Sequence, residues 1–137
     1  SFGAQSQDPQ RLALDVLHLT GMRSRANAVA GALPLLDRKR LEMARALATQ
    51  PQLLLLDEIA GGLTDSECAS LLAAIRDIHA SGVTIVWIEH VLHALLSAAQ
   101  RLVVLDFGSV IADGVPADVM ARAEVKAVYL GEEEAHG

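Results

Sequence analysis

Acidic side chains and a histidine directly follow two apolar runs of the sequence. Asp57 and Glu58 come after the run 53–56, and His90 comes shortly after the β-branched run 83–88. In parallel sheets, ligands bind at the carboxyl ends of the strands. There, Asp57 could hold Mg²⁺, which takes one or two protein carboxylates and keeps several waters. Glu58 could orient or deprotonate an attacking water, and His90 could donate a hydrogen bond to a phosphate group.

Each of these residues also has a purely structural interpretation. The two carboxylates could cap a solvated loop, and a lone histidine at a strand end is more often structural than functional. The two strands are separated by one predicted helix, so in a βαβ unit their ends would lie side by side. This adjacency favours a shared site.

The elements that position these residues follow from the spacing of apolar residues. Strands that alternate with helices predict an α/β fold with a largely parallel sheet. The runs 53–56 and 83–88 contain almost no polar residues, which predicts strands covered by helices on both faces. The expected strands are 53–56, 83–88, 101–106 and 110–112. Helices are expected at 12–19, 37–48 and 90–99, and two short ones after Pro116. A further helix should begin at the capping box formed by Thr64 and Glu67 and end at Gly82.

Composition excludes several classes of protein. The chain has 137 residues, 52% of them hydrophobic and 20% charged, which fits one folded domain and not a disordered chain. Its longest apolar runs are strand-sized, and no secretory signal pattern is visible. Cys68 is the single cysteine, which excludes an intramolecular disulfide and a multi-cysteine metal site. These features predict a reduced, cytoplasmic protein.

The charge distribution argues against nucleic acid as a partner. The net charge is −6, and thirteen of the seventeen acidic residues lie after residue 56, where only four basic residues occur. Aromatic residues make up 3% of the chain. The basic cluster 38–40 is the exception, and we expect it to be a solvated helix face.

Several spaced motifs together resemble one protein family. Residues 40–48, Pro51 and 53–58 resemble the signature helix and Walker B strand of the ATP-binding subunits of ABC transporters. The tripeptides Gly62-Leu63-Thr64 and Ile88-Glu89-His90 resemble the D-loop and the switch histidine, and 103–108 follows in the family's order. Leu33-Pro34 and 127–131 are similar to ATPase subunits of branched-chain amino acid importers. The resemblance covers about residues 12–131.

The resemblance implies a P-loop NTPase-like fold and specific residue roles. By position, Asp57 corresponds to the Walker B aspartate that binds Mg²⁺ through water. Glu58 corresponds to the catalytic glutamate, and His90 to the histidine that contacts the γ-phosphate. Leu35, Leu36 and Asp37 occupy the signature loop, which in the family contacts ATP held by the opposite subunit.

The same resemblance implies what the parent protein does. It would hydrolyse MgATP at a head-to-tail dimer interface and drive the import of branched-chain amino acids. The implied partners are a second ATPase subunit and transmembrane permease subunits. The implied location is the inner face of the cell membrane.

The sequence departs from the family at four places. It has no Gly-Lys dipeptide, so the phosphate-binding loop of the Walker A motif is absent, as is the Q-loop region. The chain therefore resembles the C-terminal half of the ATPase, without the Walker A strand. The signature L-S-G-G-Q is replaced by 33–37 without a glycine, and Ile59 stands where proline is usual. A degenerate, non-hydrolytic scaffold is the alternative.

A third interpretation is a receiver-like domain phosphorylated on Asp57, but no acidic pair precedes that strand.

We expect four segments along the chain. Residues 1–10 are disordered or an added remnant, and 11–50 form the end of a helical subdomain with the signature helix. Residues 51–131 form the Walker B and switch part, and 132–137 an acidic tail. In the resembled fold, the strand that leads into the phosphate loop lies between 83–88 and 101–106. Without it both strands have an open edge, so we expect the chain to self-associate.

Overall fold

The computed structural model describes residues 8–135, with side chains up to residue 129. The expectations for residues 1–7 and for the last two residues of the acidic tail lie outside this range. The helices are α1 (Pro9–Leu19), α2 (Leu35–Leu47), α3 (Asp65–Ala80), α4 (Leu92–Ala98), α5 (Pro116–Met120) and α6 (Ala123–Ala135), and the strands are β1 (Leu53–Asp57), β2 (Thr84–Ile88), β3 (Leu102–Asp106) and β4 (Ser109–Gly114).

The predicted α/β class is confirmed. Strands β1 and β2 pair in parallel, and α3 connects them as the crossover of a βαβ unit. Strands β3 and β4 form a separate antiparallel pair. The chain divides into two compact units, one up to Leu95 and one from Leu96 onward. The residues predicted to form the Walker B and switch motifs all lie in the first unit.

The residues that cap the ends of α1 and α3 lie at or near the predicted positions. At the start of α3, Thr64 Oγ1 accepts from Glu67 N at 3.2 Å, and Thr64 N donates to Glu67 Oε2 at 3.0 Å. This reciprocal capping satisfies two amides that the helix leaves without partners. Helix α1 begins at Pro9, capped by the side chain of Asp8, three residues before the predicted start.

One face of the β1–β2 sheet forms the core of the first unit. Leu54 and Leu56 of β1 are buried there against apolar residues of the first three helices. The other buried members of this cluster are Val16, Met43, Ala44, Leu47, Leu71, Ala74, Ile75, Ile78 and Val83. Burying one large aliphatic side chain stabilises the fold by about 1.5–3 kcal/mol, so this face contributes most of what holds the sheet in place.

The prediction that β1 and β2 are covered on both faces is wrong. Four apolar side chains of the other face are at least half exposed, namely Leu53 (50%), Leu55 (69%), Val86 (50%) and Ile88 (62%). We call these four residues the open face. The reason is that α1, α2 and α3 all pack on the same side, and no other part of residues 8–95 covers the opposite one.

The second unit is a hairpin followed by two helices. Strands β3 and β4 meet at a turn in which Phe107 and Gly108 have φ angles of +44° and +79°. Arg101 donates to both carboxylate oxygens of Asp113, at 2.7 and 2.6 Å. These bonds lower the pKa of Asp113 below its usual value. Helix α6 has 13 residues and is longer than the short helix expected there.

Within residues 8–135, none of the helices combines the length and the apolar character that crossing a membrane requires.

Candidate active site

The carboxyl ends of β1 and β2 lie side by side, as the βαβ argument predicted. Asp57 is paired in register with Ile88 at the last position of both strands. One residue further, Glu58 N donates to Ile88 O at 2.7 Å. His90 Nδ1 lies 3.6 Å from Glu58 Oε1. The structure therefore places the two residues predicted to be catalytic within contact distance.

Glu58 has an unusual backbone conformation. Its φ angle is +49°, a left-handed conformation that few non-glycine residues adopt. Such strain persists only where surrounding contacts hold it, and it is frequent at functional sites. The hydrogen bond that the Glu58 N–H donates to Ile88 O holds this residue from one side. The Glu58 side chain is 61% exposed, so its carboxylate can be reached by a ligand.

Asp57 has the properties expected of a Mg²⁺ ligand that acts with water and phosphate. Its side chain is exposed and makes no hydrogen bond or ion pair with another residue that the structure describes. Within the same residues, no cluster of three or more potential metal-ligating side chains occurs. One unpaired carboxylate fits Mg²⁺, which usually keeps several waters and binds phosphate oxygens as well.

Glu89 contacts both loops at these strand ends, and no separate role was predicted for it. Its side chain is completely enclosed. One carboxylate oxygen accepts from the amide of Ala60, in the loop after Glu58, and the other accepts from the amide of His90. The available signal was an acidic residue directly before the histidine. A solvated acid would have given the same signal, so the sequence alone could not show the burial.

At the signature position, other residues of the chain engage the side chains of Leu36 and Asp37, unlike the exposed acids at the strand ends. Leu36 packs against the core cluster. Asp37 forms ion pairs with Arg25 at 3.4 Å and with Arg40 at 3.3 Å, and its side chain is only 13% exposed. No contact between described residues links Asp37 to the strand-end acids. The predicted nucleotide-binding role of Leu36 and Asp37 thus stays a prediction, with Leu36 packed on the core and Asp37 engaged by arginines.

Leu35 lies close to the loop that follows β1. It is 41% exposed. Its Cδ2 is 3.2 Å from the position that a Cβ atom on Gly62 would occupy. Gly62 also has a φ angle of +77°, so a larger residue there would be both strained and crowded. This contact joins the signature helix to the D-loop position.

The expectation of a solvated basic cluster at 38–40 is wrong for Arg40. Its side chain is only 16% exposed and donates to Asp37 and to the Ser70 hydroxyl. A long side chain that reaches across to another helix can satisfy its charge internally. Sequence spacing alone does not show that reach.

Cys68 is buried on α3, near Glu89. Burial raises the pKa of its thiol above the usual value, and the charges of Glu89 and Asp65 raise it further. A surface cleft of about 280 Å³ lies nearby, lined by Asp65, Cys68, Ala69, Leu72 and His93. None of the predicted site residues lines this cleft.

The sequence is similar to curated transport proteins. It is 33% identical over 133 residues to the high-affinity branched-chain amino acid transport ATP-binding protein BraF of Pseudomonas aeruginosa. It is 36% identical over 132 residues to the corresponding protein LivG of Escherichia coli. These alignments cover 96% and 94% of this chain, but only 52% and 51% of the relatives. The chain thus spans about half the length of the curated relatives it matches.

Solved structures and a family model agree with this similarity. The fold superposes on an ATP-binding cassette of an ABC transporter in its ADP conformation, with a TM-score of 0.82 and 24% identity, over 93% of this chain and 52% of the other. Residues 109–135 match the family described as branched-chain amino acid ATP-binding cassette transporter. The resemblance to ATP-binding subunits of ABC transporters is confirmed. The ABC ATPase fold predicted from the motifs is confirmed with it.

Proposed function

We propose that this chain forms the Walker B and switch half of an ABC transporter ATP-binding subunit, whose complete form hydrolyses MgATP. The observation that carries this proposal is the distance of 3.6 Å between His90 Nδ1 and Glu58 Oε1, at the ends of two parallel strands. Two residue types suited to water activation and phosphate contact thus meet at the sheet edge where ligands bind.

The proposed chemistry depends on position and charge. Transfer of a phosphoryl group to water needs an oriented nucleophile and stabilisation of the charge on the phosphate oxygens. Glu58, with its exposed carboxylate, accepts a proton from the attacking water. His90 donates a hydrogen bond to the γ-phosphate. Asp57 would hold Mg²⁺ through water, and the ion would neutralise phosphate charge.

The rest of the nucleotide site would come from elsewhere in the complete protein. In phosphate-binding loops, backbone amides and a lysine make most of the contacts to the β- and γ-phosphates. This chain has no such sequence, and it matches about half the length of BraF. We propose that a second ATPase subunit completes the site in a head-to-tail dimer.

The transported substrate and the membrane partners are inferred from the relatives. BraF and LivG are named for branched-chain amino acid transport, and the match at 109–135 is to a family of the same description. The chain is also 31% identical over 130 residues to LptB, a lipopolysaccharide export ATP-binding protein. The family match at 109–135 names branched-chain amino acid transport and not lipopolysaccharide export, so it favours branched-chain amino acid import. The parent would then work with permease subunits at the inner face of the membrane.

A non-hydrolytic scaffold is the second candidate, and two observations favour it. Asp37, at the signature position, is engaged by Arg25 and Arg40 within the chain. In addition, residues 33–37 contain no glycine, so Cβ atoms stand where backbone amides would approach phosphate closely.

The substitution Glu58→Gln tests the proposal in the complete ATPase, or in a chimera that joins this chain to the N-terminal half of LivG. Glutamine keeps the shape of the side chain but is a far weaker base. We therefore expect turnover to fall by about 10²-fold or more, while MgATP binding is retained. The control Glu42→Gln removes another exposed acid, on α2, which pairs with Arg45 at the surface. Unchanged hydrolysis in Glu58→Gln would contradict the role of Glu58, and a parent that binds MgATP without hydrolysing it would support the scaffold.

A further inference from the structure

The carboxylate of Glu89 makes hydrogen bonds to both loops of the proposed site. Oε2 accepts from Ala60 N at 2.9 Å and from Trp87 Nε1 at 3.3 Å. Oε1 accepts from His90 N at 3.0 Å and from Val91 N at 3.3 Å. One oxygen thus binds the loop that follows Glu58, and the other binds the loop that begins at His90.

The surroundings of this carboxylate are apolar. Its side chain has no exposed surface, and the amides that it binds flank a small core cluster. That cluster contains Ala60, Cys68 and Ala94, with Trp87 and Val91 packed against it. A buried charge is tolerated only where hydrogen bonds replace water. Here four N–H groups of residues 60–91 do so, which fixes the carboxylate in one orientation.

We propose that Glu89 is a positioning residue that locks the loop of Glu58 to the loop of His90. This inference rests on the proposed function, because it concerns the same two residues. The strained backbone of Glu58 is held on both sides: its own amide binds Ile88 O, and the amide of Ala60, two residues later, binds Glu89. Because its side chain is fully enclosed, Glu89 would act through these two loops.

The site requires a carboxylate and not an amide. A carboxylate accepts hydrogen bonds through both oxygens, whereas glutamine has one accepting oxygen and one donating NH₂ group. In either orientation, the NH₂ group of Glu89→Gln would face two N–H donors, so one loop would lose its contacts. The substitution Glu89→Asp keeps both oxygens but shortens the side chain, so it should retain part of the link.

The first experiment measures steady-state hydrolysis in the same ATPase or chimera. We expect Glu89→Gln to lower kcat about tenfold or more with KM for ATP changed less than about twofold, and Glu89→Asp to recover part of kcat. The matched control is Glu67→Gln, which removes a carboxylate that also accepts a backbone amide, but outside the site. A well-folded Glu89→Gln with parental kcat would overturn the proposal. The proposal would also be overturned if kcat fell only in proportion to the loss of folded protein and Glu89→Asp did not recover it.

The second experiment does not depend on hydrolysis. Amide hydrogen exchange of this chain, followed by NMR, should be faster in Glu89→Gln than in the unsubstituted chain at the amides of one loop, either at Ala60 or at both His90 and Val91. In Glu67→Gln these amides should exchange at the parental rate. Parental exchange in both Glu89 variants would overturn the locking role, whatever the ATPase does. If exchange increases but the parent has no ATPase activity, the link between the loops stands and the proposed function fails.

Discussion

The two sides of the β1–β2 sheet differ in how far other residues of the chain cover their apolar side chains and pair their charges. On the side covered by α1, α2 and α3, Leu54 and Leu56 are buried in the main core. On the other side, Leu55 and Ile88 are 69% and 62% exposed. Charged groups show a similar contrast, because Asp37 on α2 has two arginine partners whereas Asp57 at the strand end has none among the described residues.

The covered side stabilises the unit, whereas the open face and the strand ends are accessible to a binding partner. On the covered side, the apolar side chains are already buried and Asp37 is paired with arginines, so no further partner is required to cover or neutralise them. The open face and the strand ends carry apolar surface and accessible carboxylates. Exposed apolar side chains next to one another are typical of a surface that another protein segment contacts.

The largest expected effect comes from shortening neighbouring leucines of β1. Leu54→Ala removes a side chain that is 4% exposed, so the free energy of unfolding should fall by about 2–5 kcal/mol. Leu55→Ala on the open face should change it by no more than about 0.5 kcal/mol. Urea unfolding followed by circular dichroism measures both. A similar loss in both variants would show that the open face is covered in solution.

A smaller effect is expected from neutralising one acid on each side. Asp37→Asn weakens the partner of two arginines, one of which is largely buried, so the free energy of unfolding should fall by about 1–3 kcal/mol. Asp57→Asn should leave it within about 0.5 kcal/mol of the parent, because no ion pair is lost. The same unfolding measurement applies. If Asp57→Asn destabilised the unit as strongly as Asp37→Asn, Asp57 would have a structural partner in solution.

Sequence reasoning succeeded where the signal is local. The capping box at Thr64 and Glu67 depends on residues three positions apart, and the structure shows both of its hydrogen bonds. The order of strands and helices followed from apolar spacing. The burial of Leu55 was predicted incorrectly, because a continuous apolar run indicates that both faces can be covered but not whether this chain supplies the cover.

The candidate site shows the same division. Asp57, Glu58 and His90 were predicted as site residues from their place after apolar runs, and the parallel pairing of β1 and β2 brings the ends of these runs together. The contacts of Glu89 were missed, because they include a hydrogen bond with Ala60, 29 residues away. Arg40 was misjudged for a similar reason, since its partner Ser70 lies on another helix.

The smallest expected effect concerns self-association through the open face. Strand β2 pairs only with β1 among the described residues, so one of its edges has unpaired backbone groups next to Val86 and Ile88. A second copy of the chain could cover both the edge and the face. We therefore expect the mass of this chain, measured by light scattering after size exclusion, to rise with concentration.

A substitution on the open face sharpens this test. Leu55→Lys places a charge where the second copy would pack, and we expect it to weaken association about tenfold, which is about 1.4 kcal/mol. The control is Val29→Lys, which adds the same charge at a residue that is 75% exposed and lies outside the sheet. Equal weakening in both variants would point to net charge as the cause. A monomer at every concentration would show that the open face remains solvated, because exposed apolar area alone does not overcome the entropy lost on association.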